Sequence, residues 1–174
     1  MMTATKKIFT LLLPCVLCLV SFFNSGCKIY KFHDVSIPIE VKTVKVNYIE
    51  NHAQYVNPQL SPKLTDKLRQ KIVSQTRLSQ TNNDNADWVI DGSVTGYSIS
   101  TSAISGQRET TNRLTVTVHI TKSDRKLDKT EVYDVSRSFE FSAGQSLQQA
   151  ELKLSDEMIR TLTDEIFNRL FSNW

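Results

Sequence analysis

Residues 113–141 read RLTVTVHITKSDRKLDKTEVYDVSRSFEF, and this stretch decides the fold of the chain. Apolar and polar side chains alternate on both sides of a short charged segment, residues 123–129. The positions expected to face the core are Leu114, Val116, Val118 and Ile120 before this segment and Tyr133, Val135, Phe139 and Phe141 after it. Two alternating runs joined by a tight polar connection predict an antiparallel β-hairpin.

Two further strands are predicted upstream of this hairpin. Residues 41–49 alternate between apolar and polar side chains, which is typical of a half-buried strand. Residues 88–99 form the next strand, in which the apolar phase shifts at Gly96 and indicates a β-bulge. Residues 100–112, which connect this strand to the hairpin, predict a long polar loop.

Helical periodicity is clear in the segment that follows the first strand. Leu64, Leu68 and Ile72 recur at every fourth residue, so one narrow apolar stripe faces the protein. We expect this helix to begin with Ser61 as its N-cap, because a proline follows directly, and to end near Thr76.

A second helix is predicted over residues 146–171, where an apolar stripe with four-residue spacing follows a capping box formed by Ser146 and Gln149. The resulting order is strand, helix, three strands and helix. It predicts an α+β fold, a two-layer sandwich with two helices packed on one face of a mostly antiparallel four-stranded sheet (β-α-β-β-β-α).

The first 26 residues have the composition of a secretory signal peptide. Two lysines precede an apolar run, residues 8–23, which is shorter than the roughly 20 apolar residues of a membrane-spanning helix. An uncleaved signal anchor is the alternative interpretation. We interpret residues 1–26 as a lipoprotein signal peptide, residues 27–40 as a lipidated tether and residues 41–174 as a single α+β domain.

Cys27 is the predicted site of lipid attachment. Ser25, Gly26 and Cys27 resemble the bacterial lipobox, with Asn24 at the position where an aliphatic residue is usual. The other two cysteines of the chain lie within the predicted signal peptide, so Cys27 has no disulfide partner in the mature protein. Lipid on Cys27 would bind the protein to a membrane.

The charge of the chain excludes one class of partner. Two of its 21 Lys and Arg residues lie in the predicted signal peptide, which contains no Asp or Glu, so the mature chain carries 19 basic and 18 acidic residues. Proteins that bind nucleic acid have a dominant basic excess. We therefore expect no nucleic-acid partner.

The sequence contains no recognisable catalytic or metal-binding motif. Its three histidines lack the spacing of a metal site, and His33 and Asp34 would point to opposite sides of an extended segment. A nucleophile elbow and a glycine-rich phosphate loop are also absent. We predict that the protein is not an enzyme and that it uses neither a cofactor nor a metal.

Two segments are candidate binding sites. The charged turn of the hairpin could contact phosphate groups, although a solvated turn is the alternative. Its basic residues, the candidate phosphate contacts, are Lys122, Arg125, Lys126 and Lys129. The polar connection of residues 100–112 offers Ile104 and Arg108 as candidate contacts to a protein partner, and a merely flexible loop is its alternative.

Several segments in one order resemble the LptE-like family of lipopolysaccharide-assembly lipoproteins. Cys27 is followed by IYKF at 29–32, and Gly92, Gly96 and Tyr97 fall in one strand. The other matching segments are VKVNY (44–48), NP (57–58), LS (60–61), SQTRL (74–78), NRLTVTV (112–118) and IFNRLFSNW (166–174). The resemblance covers essentially the whole predicted mature chain.

This resemblance implies a non-enzymatic outer-membrane lipoprotein. Such a protein lies largely inside a large LptD-like β-barrel, helps that barrel to fold, plugs it while lipopolysaccharide passes to the outer leaflet, and binds lipopolysaccharide. The residues after Cys27 carry no acidic sorting signal, so we expect a lipid anchor on the periplasmic side of the outer membrane. A lipid-anchored scaffold or pilot module of another envelope secretion or transport machine is the alternative.

Overall fold

The predicted hairpin forms one side of the sheet and ends in its edge strand. The computed structural model describes residues 37–102 and 111–172. In chain order the elements are β1 (Thr43–Val46), β2 (Glu50–Asn51), α1 (Leu60–Gln75), β3 (Ser79–Gln80), β4 (Trp88–Ser102), β5 (Thr111–Asp124), β6 (Lys129–Ser142) and α2 (Leu147–Phe171). Strand β5 pairs antiparallel with both β4 and β6, so the antiparallel hairpin is confirmed.

The sheet is mixed and has six strands, which corrects the prediction of a mostly antiparallel sheet of four. Its order is β3-β1-β4-β5-β6, and β2 also pairs with β4. Strand β1 runs parallel to β3 and β4 because a helix connects them and returns the chain to the same end of the sheet. The strands β2 and β3 were missed because two residues show no periodicity.

Both helices contribute to one hydrophobic core with the sheet, which confirms the α+β architecture. The apolar stripes of α1 and α2 belong to one buried cluster with inward side chains of β1, β4, β5 and β6. The helices run parallel, since Lys63 lies against Ser155 at the start of α1 and Lys71 against Asp164 near its end. The predicted inward residues Leu114, Val116, Val118 and Ile120 are all buried.

The two helix starts differ from one another. Helix α2 has the predicted capping box, in which Ser146 Oγ accepts from the Gln149 backbone N–H and Gln149 Oε1 accepts from that of Ser146. Helix α1 begins at Leu60, not after Ser61. The side chain of Asn57 accepts from the backbone N–H of Gln59 and turns the chain into the helix, so Ser61 lies buried in its first turn.

Strands β4 and β5 are longer than predicted. Their pairing continues to Ser102 and Thr111, so both ends of the predicted loop of residues 100–112 belong to the sheet, and its centre, residues 103–110, lies outside the described residues. The predicted bulge is confirmed by a register shift between Val94 and Gly96. A Cβ atom on Gly96 would lie 3.1 Å from Thr117 Cβ, so glycine permits this close approach of β4 and β5.

Candidate functional site

The turn between β5 and β6 displays three of the four predicted basic residues. Arg125, Lys126 and Lys129 lie at the end of the hairpin, where all three are exposed. Asp124 fixes the turn, because its Oδ1 atom accepts from the backbone N–H of Lys126 at 2.9 Å and of Leu127 at 3.0 Å. The sequence therefore forms a small basic surface on a defined backbone, which we call the basic turn (Arg125, Lys126 and Lys129).

Each cation of the basic turn has a polar neighbour in the protein. Arg125 Nη1 donates to Asn85 Oδ1 at 3.1 Å. Lys126 Nζ lies 3.4 Å from Asp87 Oδ1, and Lys129 Nζ lies 2.7 Å from Glu131 Oε1. The carboxylates of Asp87 and Glu131 reduce the local positive charge, but ion pairs of exposed lysines are weak. An anion of higher charge could therefore compete for the three basic side chains.

Lys122, the fourth predicted residue, does not lie with the others. Its side chain is only 11% exposed, and its Nζ atom lies 2.6 Å from Glu131 Oε2. The same atom donates to the carbonyl of Leu170 at 3.2 Å and lies 4.7 Å from the centre of the Trp88 ring. Lys122 thus connects the sheet to the C-terminal end of α2.

An aromatic cluster lies next to Lys122. The indole N–H of Trp88 donates to Asp124 at 2.8 Å, and the Trp88 ring lies 5.9 Å from that of Phe171. The ring centres of Phe171 and Phe167 are 4.7 Å apart, and the Nζ atom of Lys71 in α1 lies 5.0 Å from the centre of the Phe167 ring. Cation–π and aromatic contacts thus join both helices to the base of the hairpin.

Two carboxylates beside the basic turn are strongly stabilised in their charged form. The backbone N–H groups of Lys42 and Thr43, which donate to Asp87, hold the pKa of Asp87 at about 2. Hydrogen bonds from Lys122 and Lys129 hold the pKa of Glu131 at about 2. Folding therefore favours ionised carboxylates here.

The lowered pKa values predict an acid-sensitive fold. A depressed carboxylate pKa stabilises the protein fully above the unfolded values, 3.8 and 4.5, and this contribution is lost as the pH falls towards 2. We expect urea denaturation to show a free energy of unfolding about 2 kcal/mol lower at pH 3 than at pH 6. In Asp87→Asn this pH dependence becomes shallower, and an unchanged slope in that variant would contradict the role of Asp87.

A groove with mixed charge runs between the two helices. It has a volume of about 720 Å³, and Ile159 lines it. The charged residues around it are Lys63, Asp66, Lys67, Asp156, Glu157 and Arg160. The groove was not predicted from the sequence, because its walls come from helices that are distant in the sequence.

A second polar cluster contains two stacked tyrosines, Tyr55 and Tyr97. Tyr97 donates to Glu151 at 2.6 Å, and the Tyr55 ring stacks on the Tyr97 ring at 5.3 Å. Asn57 donates to the Tyr97 hydroxyl at 3.4 Å. Burial, and next the hydrogen bond to Glu151, raises the pKa of Tyr97. These contacts bind the loop before α1 to the sheet and α2, which is a structural role.

The outer face of the sheet, opposite the helices, is covered by short polar side chains. His119 lies on this face among cross-strand pairs of β5 and β6. The pairs are Arg113–Glu140 (3.1 Å), Thr115–Ser138 (2.9 Å), Thr117–Ser136 (3.1 Å) and His119–Asp134 (2.8 Å). The face is thus polar, and its charged side chains are paired across the strands.

Three predicted site residues lie outside the described residues, namely Cys27, Ile104 and Arg108. Within residues 37–102 and 111–172 no three His, Cys, Asp or Glu side chains are grouped as metal ligands. In the same part of the chain, no helix has the length and hydropathy required to cross a membrane.

Comparison with protein families gives one match. The model of the LptE family, described as lipopolysaccharide-assembly, matches residues 41–170. This range contains all the described strands and nearly all of α2. No curated protein sequence matches the chain.

Solved structures share the fold at low sequence identity. A minor lipoprotein from Acinetobacter baumannii is 19% identical, with a TM-score of 0.50 over 74% of this chain and 91% of that chain. A putative neuraminyllactose-binding hemagglutinin homologue from Helicobacter pylori is 10% identical, with a TM-score of 0.56 over 82% of this chain and 90% of that chain. At these identities the likeness concerns the fold alone.

Proposed function

Because the chain belongs to the LptE family of lipopolysaccharide-assembly proteins, we propose that it is a non-enzymatic lipoprotein that plugs a large outer-membrane β-barrel. In this role it helps the LptD-like barrel to assemble and remains in place while lipopolysaccharide passes to the outer leaflet. The observation that carries the proposal is the family match over residues 41–170. Lipid on Cys27 would anchor the protein on the periplasmic side of the outer membrane.

The described surface supports this proposal. The lumen of a large outer-membrane barrel is polar and lined with water. The outer sheet face presents hydroxyl groups and paired charges, and the helix layer presents a groove of mixed charge. A surface of this kind can pack against polar lumen walls without a large apolar patch.

The basic turn is the part of this surface that we propose for lipopolysaccharide phosphates. Its three side chains are exposed, and their present partners are weak competitors. Lys122 is not exposed to a ligand, because its ammonium group contacts Glu131, the Leu170 carbonyl and the Trp88 ring. We propose that Lys122 stabilises the fold. Ile104 and Arg108 remain proposed contacts to the barrel wall.

Charge reversal tests the basic turn. We expect the triple variant Arg125→Glu, Lys126→Glu and Lys129→Glu to bind purified lipopolysaccharide at least tenfold more weakly, since it replaces three attractive charges by repulsive ones. Binding is measured with the purified chain, and outer-membrane permeability in cells. Reversal of Lys63, Lys67 and Arg160, which lie around the groove between the helices, is the matched control. Equal binding by the wild type and the triple variant would show that the turn is ordinary surface.

Depletion in the native host tests the function itself. Cells that lose the chain are expected to lose most of the assembled barrel, detected by immunoblotting, and to retain newly made lipopolysaccharide at the inner membrane. The alternative, a scaffold or pilot of another envelope machine, predicts normal lipopolysaccharide at the surface and failure of a secretion or transport process. Normal barrel levels with normal surface lipopolysaccharide would contradict the proposed function.

A further inference from the structure

Strand β6 leaves a long edge of the sheet unpaired in the part of the chain that the structure describes. Its 14 residues pair on one side with β5, in a continuous register without a bulge. The opposite edge of the sheet is the two-residue strand β3. The free side of β6 therefore presents a row of backbone donors and acceptors that is long enough to pair with another strand.

Several of the devices that usually protect such an edge are absent from β6. It contains no proline and no bulge, and it is much longer than a typical edge strand. The inward positions of β6 carry three charged side chains, and each has a partner within the protein: Glu131 pairs with Lys122 and Lys129, and Glu165 of α2 pairs with Arg137. On the outer face Val132 is 56% exposed. This combination is typical of a strand that binds a partner.

The charges along β6 indicate the chemistry of that partner. The outward side chains of β6 are Thr130, Val132, Asp134, Ser136, Ser138 and Glu140. This row contains two carboxylates and no cation, and the carboxylates of Asp134 and Glu140 stay 70% and 61% exposed although each has a partner on β5. An added strand would place its own side chains opposite this row, where basic residues are favoured.

A second copy of this chain fits the edge less well. Two β6 strands paired antiparallel overlap most when the pairing is centred on Val135 or on Ser136. In both registers, counted along residues 129–142, no charged side chain of one copy faces an opposite charge of the other. Self-pairing therefore leaves Asp134 and Glu140 without new partners.

We propose that the free edge of β6 binds an extended, basic segment of the β-barrel partner by strand addition. The inference rests on the proposed function, because that function supplies the barrel. The backbone of β6 provides affinity, while Asp134 and Glu140 select basic side chains. The apolar side chain of Val132 favours an apolar residue opposite it.

Photo-cross-linking in intact cells tests this contact. A photoreactive amino acid at position 132 or 136 of the full chain is expected to cross-link to the barrel, at least fivefold more efficiently than one at exposed Leu152. Cross-links to a second copy, or to residues 1–36 of the same chain, would overturn the inference. Cross-links to the barrel from position 152 but not from β6 would overturn the inference alone. No cross-link to a barrel from any of these sites would contradict both the inference and the proposed function.

A pair of matched charge variants provides the second test. We expect Ser136→Lys with Ser138→Lys to reduce co-purification of the barrel at least tenfold, because two cations then face a basic segment along the edge. The control is Ser98→Lys with Ser100→Lys, which adds the same charge to exposed serines of β4, the strand on the other side of β5 from β6. We expect less than a twofold change in the control. Equal losses in both variants, or none in the edge variant, would overturn the inference.

Discussion

The variant Leu162→Ala is expected to lose about 3–4 kcal/mol of the free energy of unfolding. Leu162 lies in the middle of α2, is 0% exposed, and belongs to the core that joins the helices to the sheet. Removing its isobutyl group takes away buried apolar contacts and leaves a cavity that neighbouring side chains can fill only in part. Urea denaturation at pH 7, followed by circular dichroism, measures the loss.

Leu152 is the matched control for this substitution. It lies on the same helix but is 75% exposed, so Leu152→Ala is expected to change the free energy of unfolding by less than about 0.5 kcal/mol. The two variants have the same change in composition and nearly the same change in helix propensity. Similar losses in both would show that α2 does not pack on the sheet as described.

The variant Lys122→Met is expected to destabilise the protein by about 2–3 kcal/mol. The substitution keeps an unbranched side chain of similar length but removes a nearly buried ammonium group from Glu131, the Leu170 carbonyl and the Trp88 ring. Loss of one member of a buried ion pair leaves the other charge poorly compensated. Thermal and urea unfolding measure this effect.

Lys129→Met separates the buried contact from the exposed one. Lys129 binds the other oxygen of Glu131 but is 62% exposed, so its loss is expected to cost less than about 1 kcal/mol. Lipopolysaccharide binding is the second readout, since Lys122→Met should leave it within twofold of the wild type. Normal stability combined with a large loss of binding in Lys122→Met would reverse our assignment of this residue.

Local periodicity was sufficient to predict most of the sheet. The alternation of β5 and β6 identified the inward residues, and the phase shift at Gly96 located the bulge. The capping box of α2 was also correct, because Ser146 and Gln149 act within one helical turn. These features depend on neighbouring residues, which the sequence displays directly.

The parts that were wrong depend on contacts between distant segments. Strands β2 and β3 exist because β4 and β1 offer pairing partners, and two residues carry no pattern of their own. The N-cap of α1 was misplaced because the side chain of Asn57, four residues before Ser61, begins the turn. Long-range pairing is not encoded in the local sequence.

The same distinction applies to the candidate site. Lys122 was predicted to belong to the basic turn because it lies close to the other basic residues in the sequence. Its position, two residues after Ile120, continues the inward alternation of β5, and this parity was the signal for a buried lysine. The identity of its partners, Trp88 and Leu170, requires the folded chain.

Affinity purification from detergent-solubilised envelopes is the most direct test of the central claim. The full chain carries a tag after Trp174, and mass spectrometry identifies both the co-purifying membrane proteins and the modification state of Cys27. Our account predicts one large β-barrel in a stoichiometric amount together with an acylated Cys27. An acylated protein that purifies alone, or with subunits of a secretion or transport machine, would contradict it.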